Sequence, residues 1–246
     1  MASSIPQFQT HFARNDADIL AAQRLRYDVF VKELGAVDKT FDGADRVEKD
    51  AFDKYADHLL LRDLSRPQSD QIVGVYRLMN AKQAELAGEF STEREYDIAA
   101  LKMSGKCLLE LGRSCLHRDY RGGSAMFHIW QSLADHIEVT GTEILFGVAS
   151  FHGIDPMGHA ASLNMLFADH NSAFAVPSRQ HLTLPVVNAD KKEALRQTPA
   201  LIKAYLRLGG TVGQGAYVDR EFNTTDVCMI LDVANMNDRH RAIYAR

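Results

Sequence analysis

Leu108-Leu109-Glu110-Leu111-Gly112-Arg113-Ser114-Cys115-Leu116-His117-Arg118-Asp119-Tyr120-Arg121-Gly122-Gly123 begins as a buried strand and ends as a basic, glycine-bearing turn. The residues that follow, 124–140, place Phe127, Ile129, Trp130, Leu133, Ile137 and Val139 near a 3.6-residue period and read as a helix. A strand that runs into a helix N-terminus leaves backbone N–H groups unpaired. With Arg118 and Arg121 beside them, and Gly122 and Gly123 keeping the turn bare, such a terminus suits a phosphate or pyrophosphate. An acid held just upstream of a phosphate cradle points to group transfer from a phosphate-bearing carrier.

Working outward, residues 8–14 read as a first strand and 17–34 as a helix, with Asn15 or Asp16 as its cap and Gly35 past its end. Residues 37–53 are charged and short of aliphatics, hence a loop. Residues 58–62 and 72–79 form an antiparallel hairpin across a polar turn, and 88–105 a polar, partly helical connection. Strand 143–151, helix 156–169, strand 181–187, helix 190–208 and a nearly continuous apolar strand at 227–233 complete the chain. No Pro/Gly-rich linker divides it. The expected architecture is one α/β domain with a mixed, twisted sheet flanked by helices.

The bulk properties narrow the function classes. The chain has 246 residues, 46% hydrophobic and 24% charged, with a formal net charge of −4. That composition is ordinary for a globular domain, and the acidic balance argues against a nucleic-acid partner. No apolar run reaches the roughly 18–20 residues that span a bilayer, and the N-terminal residues lack a signal-peptide core. The three cysteines, Cys107, Cys115 and Cys228, show no metal-ligand spacing and are expected to be buried free thiols of a reducing cytoplasm. His152, His159 and His170 are too irregularly spaced for a metal site, so none is expected.

The order of elements resembles the GNAT acyltransferase fold. Four segments narrow the resemblance: residues 25–35 (LRYDVFVKELG), 52–60 (FDKYADHLL), 72–78 (IVGVYRL) and 109–113 (LELGR) are similar to the branch that contains acyl-homoserine-lactone synthases. They are closer still to the ornithine Nα-acyltransferases that make lyso-ornithine lipid in bacteria. Residues 149–153 (ASFHG) and 201–209 (LIKAYLRLG) resemble that second group. The resemblance implies transfer of a 3-hydroxyacyl group from acyl carrier protein to the α-amine of L-ornithine. The 4'-phosphopantetheine arm would thread between two splayed central strands, with no permanently bound cofactor. Ser124 departs from the GNAT glycine loop, which weakens a free-CoA donor and favours a carrier protein. A lipid product implies a cytoplasmic enzyme in peripheral contact with the inner membrane, with residues 191–208 the nearest candidate for contact.

Amine acylation needs a proton acceptor, because only a neutral amine attacks a thioester. Glu110, on an apolar strand, is the first candidate, with His58 and Asp57 as relay or orienting groups. The alternative is that Glu110 pairs with Arg113 or Arg77 and joins two strands. A bulge at Gly112 would bring Glu110 and Arg113 to one side. A dibasic acceptor calls for carboxylates, for which Asp53 and Asp57 are candidates. Arg77 and Arg113 suit a substrate carboxylate, and Arg77 equally an ion pair with Asp53. Ser150 and Phe151 close a strand beside the expected splay, where a hydroxyl would face the leaving thiol. Arg26 and Phe30 resemble donor-entrance positions, and Arg118, Arg121, Gly122 and Gly123 form the donor phosphate turn. The competing functions are a lactone-signal synthase acting on S-adenosylmethionine and a non-catalytic module that binds acyl carrier protein.

Overall fold

In chain order, the computed structural model, which describes residues 5–37, 46–187 and 190–236, contains β1 (Phe8–Phe12), α1 (Asp16–Arg26), β2 (Asp57–Asp63), β3 (Ile72–Asn80), α2 (Ala81–Ala87), α3 (Ala99–Lys102), β4 (Leu108–Leu116), α4 (Ala125–Thr140), β5 (Ile144–His152), α5 (Ala160–Asp169), α6 (Lys191–Gln197), α7 (Ala200–Arg207), β6 (Thr211–Val212), β7 (Tyr217–Asp219) and β8 (Thr224–Asp232). The strands make one sheet in the order β1-β2-β3-β4-β5-β8-β6, with β7 also on β8. Among the described strand pairs only β4 and β5 run parallel. The expected mixed α/β sheet is therefore what the chain forms.

Alternation along each strand sorts residues to the two faces. Leu59, Leu61, Tyr76, Leu78, Leu109 and Leu111 pack with Ile129, Trp130 and Leu133 of α4 and with Tyr205 of α7. The Tyr76 and Tyr205 hydroxyls hydrogen-bond across that layer at 2.7 Å. On the other face Met79, Leu108, Phe146 and Ile230 pack with Phe90, Tyr96 and Ile98 of the connection after β3. Leu60, Val75 and Cys115 meet Ala22, Leu25 and Val29 of the first helix.

That helix is capped as expected: the Asn15 side chain accepts from the Asp18 amide at 3.0 Å. Its second half, Tyr27–Glu33, is wound as a π-helix, a wider turn frequent at functional sites. Of the loop at 37–53, residues 38–45 lie outside the described residues.

Three expectations are corrected. Residues 190–208 form two helices, because the residue before Pro199 is driven out of the α region (Thr198 ψ 136). Residues 181–187 pair with no strand: β6 and β7 occupy the β8 edge. Cys107 is exposed, whereas Cys115 and Cys228 are buried; all three are free thiols.

Candidate active site between the two central strands

β4 and β5 are paired only at Leu108↔Ile144, Leu109↔Leu145 and Glu110↔Phe146. Beyond that point β4 continues along β3 and β5 along β8, so the two strands part. Gly147 is where they separate: a Cβ there would lie 2.1 Å from the Leu111 carbonyl oxygen. The gap opens into a cavity of about 640 Å³. Leu111, Gly112, Arg113 and Ser114 wall it from β4, and Val148, Ala149 and Ser150 from β5.

β4 is also bulged. Gly112 opposes Arg77 and Cys115 opposes Val75, so β4 carries one extra residue there. Arg113 takes up the kink with φ 51. The expected bulge thus falls one residue after Gly112, and it turns Arg113 into the cavity. Its guanidinium lies 4.3 Å from the Phe222 ring centroid, and Phe222 meets Phe30 edge-on at 5.8 Å.

Under one wall lies a charge network. Arg26 sits on the buried stripe of α1 with Ala22 and Leu25, and is itself fully buried. It donates to Glu48 through Nε and to Asp53 Oδ1 through Nη1 at 2.8 Å. Arg77 Nη1 donates to Asp53 Oδ1 at 2.9 Å and to Asp50 Oδ1 at 2.6 Å. Arg113 donates to Glu48 Oε1 at 3.2 Å and Asp50 Oδ2 at 2.9 Å. Burial acts upward on Asp50 and Asp53, but the facing guanidiniums outweigh it and hold both carboxyls below the usual range.

On the opposite wall three acids meet: Glu95 after the turn Ser91–Arg94, Asp219 of β7 and Asp226 of β8. One carboxylate oxygen from each lies within 4.8 Å of the others, close enough to hold a cation. Asp226 is 3% exposed, and its Oδ1 has no donor, as is true of Glu95 Oε2. Burial, foremost, lifts the Asp226 carboxyl to about 7. Burial, then Asp226 and Asp219, raise Glu95 well above the carboxylate range. The Lys49, Arg94 and Arg220 side chains stand at the exposed rim.

The cavity brings together three of the residues expected from the sequence: Arg113, Ser150 and Phe30. The others stand elsewhere. Glu110 is 2% exposed and off the cavity wall; its carboxylate accepts from the Ser91 and Thr92 amides at 3.2 and 2.6 Å. Each oxygen thus helps to fix the turn that carries Glu95, and the carboxylate does not line the cavity where an acceptor amine would enter. It pairs with neither Arg113 nor Arg77. His58 is buried off the cavity wall, with Nε2 3.0 Å from the Asp53 carbonyl oxygen, and burial lowers its pKa. Asp57 is exposed and bound by Gln83 Nε2 at 3.0 Å, away from the cavity. Asp53, Arg77 and Arg26 are spent on the charge network, and Phe151 is core. Arg118, Gly122 and Gly123 are exposed beyond the C-terminal end of β4, outside the cavity wall, and Arg121 is tied to Glu33 and to the Leu116 carbonyl.

Sequence reasoning missed Glu95, Asp219 and Asp226. The one legible signal was an acid, Asp226, at the head of the apolar run that forms β8.

Residues 25–131 match the acetyltransferase (GNAT) domain family. The chain is 45% identical to the L-ornithine Nα-acyltransferase of Rhodobacter capsulatus, with 100% of this chain and 98% of that one aligned. It is 39% identical to the enzyme of the same name from Brucella abortus, over 98% and 89% of the two chains. The chain belongs to the L-ornithine Nα-acyltransferase family. As a member of that family it is a GNAT-fold acyltransferase. Among solved structures, it is similar in fold to BjaI, a CoA-dependent acyl-homoserine lactone synthase (TM-score 0.55, 14% identity, 97% and 90% coverage). It is likewise similar to FeeM, an N-acyl amino acid synthase from uncultured soil microbes (TM-score 0.53, 14% identity, 94% and 93% coverage). Among the described residues, no helix of this acyltransferase is long and apolar enough to cross a membrane.

Proposed function

We propose that the protein transfers a 3-hydroxyacyl group from acyl carrier protein to the α-amine of L-ornithine, giving lyso-ornithine lipid. The observation that supports this most directly is the parting of β4 and β5 into a cavity that carries three carboxylates on one wall. A thioester on an extended arm fits a slot between two strands, and a substrate with two ammonium groups fits an acidic wall. The relatives named for ornithine acylation supply the acceptor.

In this reading Arg113, Ser150 and Phe30 line the path of the acyl donor, and Asp219 receives the δ-ammonium. Asp219 Oδ1 already accepts from the Glu221 and Phe222 amides at 2.8 and 3.0 Å, which fixes its direction. Arg118, Gly122 and Gly123, at the end of β4, hold the phosphate of the pantetheine arm, and the rim cations meet the acidic carrier protein. The setting is the cytoplasm, in peripheral contact with the inner membrane that takes up the product.

The test supplies the purified chain with 3-hydroxyacyl carrier protein and either L-ornithine or S-adenosylmethionine, and reads products by mass spectrometry. Acyl-ornithine is the expected product. Preferential turnover of S-adenosylmethionine would replace this reading with the lactone-synthase one. Asp219→Asn is expected to raise KM for ornithine about ten- to a hundredfold, the loss of one hydrogen bond to a charged group. Equal KM values in variant and parent would move the δ-ammonium site elsewhere.

A further inference from the structure

Amine acylation must dispose of protons, and Glu110 is committed to backbone amides. We propose that Glu95 and Asp226 form the proton-accepting pair of the acyl transfer, acting as one unit on the cavity wall. The inference rests on the acyl-transfer reading above and names the catalytic residues of that same site.

The geometry carries it. Both side chains line the cavity, and both keep one oxygen without a donor, Glu95 Oε2 and Asp226 Oδ1. A buried carboxylate oxygen without a donor is costly, and a single proton between two carboxyls supplies both at once. The pair is held in place from several sides. Glu110 ties down the Ser91 and Thr92 amides just before Glu95. The Tyr96 hydroxyl, next in the chain, donates to the Asp226 carbonyl at 2.8 Å and lies 3.1 Å from that of Gly215. Thr224 Oγ1 donates to Asp226 Oδ2 at 3.1 Å, and Asp226 is directly opposite Ser150 in the sheet.

The groups facing the pair set its basicity. Asp219 of β7 raises the proton affinity of both acids, Arg113 of β4 lowers that of Glu95, and the Ser150 and Thr224 hydroxyls lower that of Asp226. The buried Tyr96 phenol and Cys228 thiol are themselves pushed up by burial, so they stay neutral. Burial outweighs the lowering influences, leaving a pair that still binds a proton near neutral pH.

The step balances as follows. The α-ammonium gives one proton to the pair, and the freed nitrogen lone pair forms the C–N bond at the thioester carbonyl. The C–S bond then breaks, with its electrons going to sulfur. The second proton that nitrogen loses neutralises the departing thiolate, and the pair returns its own to solvent. One thioester and one ammonium become one amide, one thiol and one released proton.

The test compares full-length Glu95→Gln, Asp226→Asn and Glu110→Gln with the parent, measuring turnover of ornithine against pH. Glu95→Gln and Asp226→Asn are each expected to lower kcat by about 10²–10⁴-fold without changing KM for the acyl donor, as for loss of a general base. The parent should gain activity as pH rises through about 7, and Asp226→Asn should lose that limb. Glu110→Gln should keep the limb, since it acts only by positioning. Folding is followed separately: ionising a carboxyl whose folded pKa is raised destabilises the protein as pH rises from the ordinary carboxylate range toward about 7. Asp226→Asn should therefore melt no lower than the parent at neutral pH. A folded Glu95→Gln or Asp226→Asn that turns over within about tenfold of the parent with its limb intact would overturn the pair and leave the acyl-transfer reading standing. A parent inert toward every amine would overturn both.

Discussion

Gly147→Ala is expected to abolish turnover and to destabilise the chain by at least the few kcal/mol (about 1–3) typical of overpacking. The added methyl would sit 2.1 Å from the Leu111 carbonyl oxygen, 3.1 Å from its carbon and 3.3 Å from its nitrogen. Those are backbone atoms of a neighbouring central strand, so no rotamer change relieves the clash. The strands must separate next to their last pair, Glu110↔Phe146, and the cavity mouth is lost. Thermal unfolding and ornithine turnover are the measurements, with Gly158→Ala as control because a Cβ there meets nothing within 4 Å. A Gly147→Ala protein with the parent's melting temperature and rate would mean that β4 and β5 do not approach in this way.

Asp53→Ala should cost about 3–5 kcal/mol, the penalty for breaking one partner out of a buried ion pair. Asp53 Oδ1 accepts from both Arg26 and Arg77, and Oδ2 accepts from Gln23 Nε2 at 2.9 Å. Truncation leaves two buried guanidiniums short of counter-charge, with Glu48 and Asp50 as their remaining partners. The pH sign follows from the same contacts. The Asp50 and Asp53 carboxyls are held below their ordinary value of 3.8, so their stabilisation is present above that pH and is lost as pH falls through the folded pKa. The parent's melting temperature should drop on acidification below about pH 4, and Asp53→Ala should show a shallower drop. An equally steep acid limb in the variant would place the source of acid sensitivity outside the network.

Several features were readable because local chemistry dictated them. Arg26 was not one of them: it resembled a donor-entrance position in the sequence, but in the fold it shares the buried stripe of Ala22 and Leu25. Its partners were not legible either, because Glu48 and Asp53 lie 22 and 27 residues away and meet it only after the helix docks on the sheet. Arg77 in an apolar strand read correctly as a possible partner of Asp53. Glu110 read correctly as buried, yet burial alone does not say whether an acid faces a cavity or a pair of backbone amides. Residues 181–187 show how alternation misleads: Leu182 and Leu184 pack on the core, Val186 is 95% exposed, and β6 and β7 take the pairing with β8 instead. Glu95 and Asp219 carried no signal, since an acid in a polar connection looks like solvated surface.

Periodicity, caps and the strand-to-turn-to-helix passage around 108–140 sufficed to specify the α/β sheet, because side-chain alternation and backbone hydrogen bonding are local rules; the parting of its central strands was implied only by the family resemblance. Which acids face the opening was settled by packing alone. The turn Ser91–Arg94 is far along the chain from β7 and the head of β8, which it meets only in the fold, and a carboxyl's basicity depends on the water it has lost and the charges it meets, neither of which is encoded at its own position.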